Sequence, residues 1–165
     1  MVLKLMLATM AAAAIRSSRD METPRSPVSA ALDELEMAPA PIDPSLVVEG
    51  DPQARLSVHS RAYDDKATTA VWDCTAGAFR WYFGWEETVM ILEGEVRVTA
   101  EDGSERLLRA GDVAYFPAKS WSTWYVETYV RKLAFCRKEF PAPFSMALKL
   151  RDRLRRTAEP RGLAA

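Results

Sequence analysis

The chain has 165 residues, 48% hydrophobic and 10% aromatic, which suits one ordinary domain plus tails and excludes wholesale disorder. Its 22 basic and 23 acidic residues give a net charge of -1, so the charge balance indicates neither a nucleic-acid nor a membrane partner. His59 is the single histidine, which excludes every site within this chain that needs two imidazoles. Cys74 and Cys136 have no metal-binding spacing and are expected to be reduced thiols.

The N-terminal 37 residues are predicted to be an extension that is partly disordered or helical. An apolar run at Leu5–Ile15 has the length of a signal-peptide core. We favour a frayed tail, or Met21 as the true start, and therefore expect a cytoplasmic location; a secretory signal is the alternative. Residues 16–29 have the composition of a linker, and Ala30–Met37 is predicted to form a short helix.

A proline-rich strap at Ala38–Pro44 opens the predicted barrel domain, residues 38–140. About eight to ten short β-rich runs follow, spaced by about 8–12 residues and separated by turn residues, which is typical of an all-β sandwich or barrel. Asp102-Gly103 is predicted to turn a hairpin. The runs are Arg55–Tyr63, Thr68–Asp73, Phe79–Trp85, Thr88–Leu92, Val96–Ala100, Arg106–Leu108, Val113–Phe116, Thr123–Val126 and Arg131–Phe135.

The last segment, residues 141–165, is predicted to be a basic helical tail. Its helix formers lie at Phe144–Thr157, with five Lys or Arg against one Asp. We favour a solvated end helix docked through Phe144 and Leu148, and the alternative is a helix that contacts an acidic partner or anionic lipid.

Two segments carry a family resemblance: Phe79–Val98 (FRWYFGWEETVMILEGEVRV) and Gly111–Val126 (GDVAYFPAKSWSTWYV). They resemble the two motifs of the cupin superfamily, with the Asp102-Gly103 hairpin between them. The resemblance implies an RmlC-like cupin fold, a double-stranded β-helix or jelly-roll barrel, with a short C-terminal helix and a flexible N-terminal extension. A narrower resemblance over residues 38–132 is to the subfamily grouped with (S)-ureidoglycine aminohydrolase, a metal-dependent enzyme; that grouping is largely of unknown function.

The metal-binding positions of the cupin motifs hold different residues in this chain. Counting back from Gly94, the motif glutamate is Glu87, while Trp81 and Phe83 stand at the two histidine positions and Ser122 at the third. Ring carbons donate no lone pair, and a lone carboxylate does not hold a catalytic transition metal. We therefore expect no metal and no cofactor.

The same residues predict a pocket. Phe79, Trp81 and Phe83 share one strand face, and Ser122 and Trp124 are expected on a face opposite them. The result would be an aromatic cup for sugar rings, planar heterocycles or cations, with Tyr115 or Tyr125 adding a hydroxyl according to register. Simple filling of the barrel by these rings is an equal alternative.

Glu87 is the candidate catalytic residue. Desolvation in the cup would raise its pKa and fit it for general acid or base chemistry. The alternative is that Glu87 is tied to Arg80, Arg97 or a tyrosine hydroxyl. Glu86 beside it should face the other way, which excludes a carboxylate dyad.

Three functions are consistent with these residues. The lead hypothesis is a metal-independent cupin that binds a small organic molecule, with or without catalysis by Glu87. The second is a metal-dependent, aminohydrolase-like enzyme with an atypical ligand set, such as Glu87, tyrosine hydroxyls and His59. The third is a structural module with a solid barrel. The resemblance also implies a homodimer, and we expect no nucleic-acid or membrane partner.

Overall fold

The computed structural model describes residues 26–139 and Met146, in two units. Residues 26–30, in the first unit, are exposed and have no regular structure. The second unit, from Ala31, holds all the strands described. They are β1 (Ala38–Pro39), β2 (Val47–Gly50), β3 (Ala54–Arg61), β4 (Ala67–Phe83), β5 (Glu86–Ala100), β6 (Glu105–Arg109), β7 (Val113–Phe116) and β8 (Ser120–Arg137). A 3-10 turn, Pro44–Leu46, precedes β2 and is capped by the Asp43 carboxylate.

The strands form one antiparallel sheet in the order β1-β3-β4-β8-β5-β6, with β2 on β4 and β7 on β5. The last of the strands described, β8, lies between β4 and β5, so that Lys132 pairs with Trp72 on one side and Ile91 on the other. The all-β prediction is confirmed.

The predicted short strands are fewer and longer in the structure. The turn residues predict Thr68–Asp73 and Phe79–Trp85 as separate strands, but most of both lie in β4, whose register shifts between Thr75 and Gly77. Runs on either side of Gly94 likewise join in β5, and those on either side of Tyr129 join in β8. A β-bulge bends a strand without ending its ladder, whereas the turn residues alone predict a break.

The core lies on the inner face of the bent sheet, where alternate residues of β4, β5 and β8 meet. Phe79, Val98 and Trp124 are direct neighbours across these three strands, and each is buried. Because side chains alternate across a strand, this register directs one apolar row inward. The core also includes Ile42, Trp72, Phe83, Val89, Ile91, Val96, Phe116, Val126 and Val130.

The outer face of the same sheet carries a buried polar cluster. Asp73 accepts two hydrogen bonds from Arg55, at 3.0 and 2.6 Å, and a third from the Tyr129 hydroxyl at 3.0 Å. Burial, aided by the Asp73 contact, raises the pKa of Tyr129. Arg131 donates to the Leu32 carbonyl at 2.7 Å and thereby holds the segment before β1.

The predicted helix at Ala30–Met37 is wrong. The structure shows a single turn, in which the Glu34 amide donates to the Ala31 carbonyl at 3.1 Å. So short a segment gains too few helical hydrogen bonds to offset the loss of backbone freedom. The signal or tail prediction for residues 1–20 and the predicted C-terminal helix lie outside the described residues, apart from Met146. In the described part of the chain, no helix is long and apolar enough to cross a membrane.

Candidate functional site

A cavity of about 410 Å³ opens on the inner face of the barrel, between the β5–β6 hairpin, β7 and the start of β8. Its inner wall is apolar and its rim carries charges. Val98, Leu108, Ala114 and Phe116 form most of the wall, and Glu101, Asp102 and Arg106 lie at the rim. Hydrogen bonds from the Ser104 hydroxyl and from the Ser104 amide hold the pKa of Asp102 below its usual range, so this rim carboxylate is charged at neutral pH.

Ser122 supplies a polar group in the cavity wall and is 5% exposed. The Trp124 indole N–H donates to its Oγ at 2.9 Å, which fixes the hydroxyl in place. Because that bond uses the oxygen as an acceptor, the hydroxyl proton is left to donate to another group. The predicted binding residue Ser122 therefore does line a cavity.

Most of the predicted aromatic cup is barrel filling. Phe79, Phe83 and Trp124 are 1%, 2% and 1% exposed. The Phe83 ring stacks on Phe116 with centroids 4.4 Å apart, and Phe79 and Trp124 stack at 6.3 Å. None of the three predicted residues lines the cavity; Phe116 alone of these four rings does.

Trp81 and Tyr115 have different surroundings. Trp81 is half-buried and packs on Trp72 and Phe79, and it does not line the cavity. It pairs with Ser122 across β4 and β8, as Phe79 pairs with Trp124, so these residues lie side by side rather than on opposite walls. Tyr115 is 59% exposed and borders the cavity, and desolvation together with the Glu86 carboxylate raises its pKa.

Glu87 forms a buried ion pair. Its Oε1 accepts a hydrogen bond from Lys132 Nζ at 2.6 Å, with the two side chains 12% and 5% exposed. The Lys132 ammonium lies 4.4 Å from the Trp124 ring centroid and 5.0 Å from that of Trp72. Glu86 instead binds Arg137 at 2.6 Å nearer the surface. The adjacent carboxylates thus have separate partners.

The two alternative arginine partners proposed for Glu87 are wrong. Arg80 stacks over the Trp121 ring at 4.7 Å, and Arg97 lies beside Glu105. Cys136 pairs with Glu87 in the β5–β8 ladder, and burial, with this carboxylate nearby, raises its pKa to about 11.

Comparison with known proteins agrees with this architecture. Residues 61–134 match the family model of the EutQ-like cupin domain, a span that includes all of β4 to β7 and most of β8. This part of the chain is similar to a cupin domain, and the strands described form a cupin-like jelly-roll fold. Among curated proteins no match was found.

Solved structures resemble this chain in fold. A protein of unknown function from Pseudomonas syringae pv. tomato is 24% identical, with a TM-score of 0.61, and the match covers 70% of this chain and 50% of that one. This chain therefore spans half the length of that protein. A predicted oxalate decarboxylase from Thermotoga maritima is 16% identical, covering 69% and 100%, with a TM-score of 0.53. An RmlC-like cupin from Shewanella frigidimarina is 13% identical, covering 74% and 99%, with a TM-score of 0.50.

The residues at the cupin metal positions do not fit a metal ion. Phe83 is a packed ring, Trp81 offers only an indole, and the Glu87 carboxylate is bound by Lys132. The Ser122 oxygen accepts from Trp124. Within the described residues, no group of three or more His, Cys, Asp or Glu side chains is arranged to hold an ion. His59 lies at a register shift in β3 and does not line the cavity.

Sequence reasoning missed Lys132. A usable signal was present, because Val130, Lys132 and Ala134 alternate along β8 with the outward Arg131 and Leu133. That period places a lysine on the buried face, where an unpaired charge is costly. A buried lysine therefore requires a buried carboxylate, and the motif spacing already predicts that Glu87 faces inward.

Proposed function

We propose that this cupin domain binds a small organic molecule in the cavity beside Ser122, without a metal ion. The observation that carries the proposal is an open volume of about 410 Å³ next to an otherwise filled barrel interior. Concave, mainly apolar cavities with a few placed polar groups are the usual sites for small ligands.

The lining suggests the ligand class. Apolar walls favour an apolar or planar body, and the free hydroxyl proton of Ser122 favours an acceptor such as a carbonyl oxygen. At the rim, two carboxylates face one guanidinium, which disfavours anions. The proposed ligand is a neutral or cationic molecule with an apolar body and one hydrogen-bond acceptor.

Acid or base catalysis by Glu87 is a further proposal, supported by the short contact to Lys132. The Lys132 contact at 2.6 Å holds the Glu87 carboxylate in a fixed position, and a positioned carboxylate is a common general acid or base. Because neither group lines the cavity, binding is the leading proposal and catalysis the second. The aminohydrolase reaction is not part of either, since it depends on a metal.

A thermal-shift screen of neutral, cationic and anionic small molecules, run with and without EDTA, tests the proposal. A ligand that binds the native state raises Tm by mass action. We expect hits among neutral or cationic carbonyl compounds, unchanged by EDTA. Hits confined to anions, or abolished by EDTA, would contradict the proposed ligand class or metal independence.

A matched pair of variants locates the site. Leu108 lines the cavity, whereas its neighbour Leu107 points to the opposite face of β6 and is 37% exposed. Leu108→Trp should fill the cavity and abolish the ligand-induced shift, and Leu107→Trp should keep it. Loss of the shift in both variants, or in neither, would place binding elsewhere. A parallel Glu87→Gln variant tests catalysis, since turnover of a bound hit should fall while its binding stays.

We also propose that the protein is a homodimer. The outer face of β5, β7 and β8 exposes Met90, Val113, Tyr115 and Phe135, which the strand register brings together. A contiguous exposed apolar cluster is a common interaction surface. Light scattering coupled to gel filtration should give twice the mass of the chain, and Phe135→Glu should give the monomer mass.

A further inference from the structure

We infer that the Lys132 ammonium is a built-in cation that replaces a metal ion as the partner of Glu87 in the barrel. The two charges belong to strands β5 and β8 and lie 45 residues apart in the chain, so the pairing of these strands brings them together.

Glu87 needs a cation because of its position. An ionised carboxylate withdrawn from water is strongly destabilising unless a charge or several hydrogen bonds compensate it. Glu87 has one such partner among the described residues, the Lys132 ammonium at 2.6 Å. Phe116 is its direct neighbour in the β5–β7 ladder and Cys136 in the β5–β8 ladder, and neither offers a positive charge.

The lysine is held by more than the carboxylate. Its ammonium lies over the Trp124 and Trp72 rings, at 4.4 and 5.0 Å from their centroids. The negative face of an indole attracts a cation, and this attraction grows when water is excluded. Two aromatic faces and a carboxylate thus form a box around a single positive charge.

The rings of this box, Trp72 and Trp124, lie outside the metal-ligand positions of the motifs, which hold Trp81, Phe83 and Ser122. A divalent ion needs several lone pairs, whereas an ammonium is satisfied by one carboxylate and ring faces. Trp72 and Trp124 suit only the second kind of cation. In this chain a lysine side chain therefore provides the positive charge that Glu87 would otherwise take from a metal ion.

A double-mutant cycle on thermal stability tests the inference. The variants are Lys132→Met, Glu87→Met and the double variant, with Lys119→Met as control, because Lys119 forms an exposed pair with Glu139. Lys132→Met should lower Tm by more than about 10 °C, because it leaves an unpaired buried charge. The double variant should recover at least half of that loss, and the control should shift by less than about 3 °C.

Three results would overturn the inference. One is a double variant no more stable than Lys132→Met, which would mean that Lys132 serves packing and not charge. Another is a Lys132→Met variant as stable as the control. The third is stoichiometric transition metal in the protein purified without an affinity metal and lost in Glu87→Met. If Lys132→Met is insoluble, a folded double variant supports the inference and an insoluble one contradicts it. None of these readouts depends on a ligand, so they are separate from the binding screen.

Discussion

Gly94 provides the sharpest test of the strand geometry. It lies inside β5, opposite Val130 of β8, with φ of +70°. A Cβ added there would lie 2.8 Å from the Tyr129 carbonyl carbon and 3.3 Å from Val130 Cα, and closer still to the Tyr129 oxygen. Gly94→Ala should therefore push β5 and β8 apart.

The expected loss of unfolding free energy in Gly94→Ala has two parts. The left-handed backbone costs a non-glycine residue about 1–2 kcal/mol. Overlap with rigid backbone adds about 1–3 kcal/mol, by analogy with overpacked cores. Together they give about 2–5 kcal/mol, a large part of the about 5–15 kcal/mol that stabilises a typical domain.

Gly103→Ala is the matched control. Gly103 also has a positive φ, +80°, but an added Cβ would meet nothing within 4 Å. Gly103→Ala should therefore lose only the cost of the left-handed backbone, about 1–2 kcal/mol of unfolding free energy. Urea denaturation followed by tryptophan fluorescence gives both free energies of unfolding. Equal losses in the two variants would refute the close approach of β5 and β8 at Gly94.

Other variants and labels test the core and the polar cluster. Phe83→Ala should lose about 3–5 kcal/mol of unfolding free energy, measured in urea, because it leaves a cavity at a packed position. A loss below about 1 kcal/mol would mean that the barrel is loosely filled there. Tyr129→Phe removes one hydrogen bond to Asp73 and should cost about 1 kcal/mol, and an unchanged midpoint would show that this bond contributes nothing. Burial raises the pKa of Cys74 to about 12 and that of Cys136 to about 11, so both thiols should resist iodoacetamide at pH 8 until urea unfolds the protein. The same shifts predict a loss of stability as pH rises from about 9 toward 11, because only the unfolded thiols release protons there; a flat profile would contradict the burial.

The sequence pattern predicts the fold class, and its alternation predicts which side chains face inward. The alternation of Val96 and Val98 with Arg97, and the Asp102-Gly103 turn, correspond to the β5–β6 hairpin. Strand lengths were not predictable. A bulge such as that between Thr75 and Gly77 depends on contacts with other strands, and the local sequence gives little indication that the strand continues past it.

The site was only partly predictable for a different reason. Periodicity shows that Phe83 faces inward, but whether the interior is filled depends on Phe116, which stacks on it from another strand. Likewise, the motif spacing predicts that the Glu87 carboxylate faces inward. Its partner Lys132 lies far along the chain and contacts Glu87 only because of the β5–β8 register. Contacts between distant segments decide volume and charge pairing, and a single sequence does not give them.

The central place of β8 has a consequence for biosynthesis. Because this last strand lies between β4 and β5, neither can complete its ladder until Ser120–Arg137 has left the ribosome. A nascent chain that ends before Ser120 presents two long, open strand edges, which are templates for pairing with other chains. We therefore expect folding to follow synthesis of β8, and the interval before it to be the period in which the nascent chain most needs a chaperone.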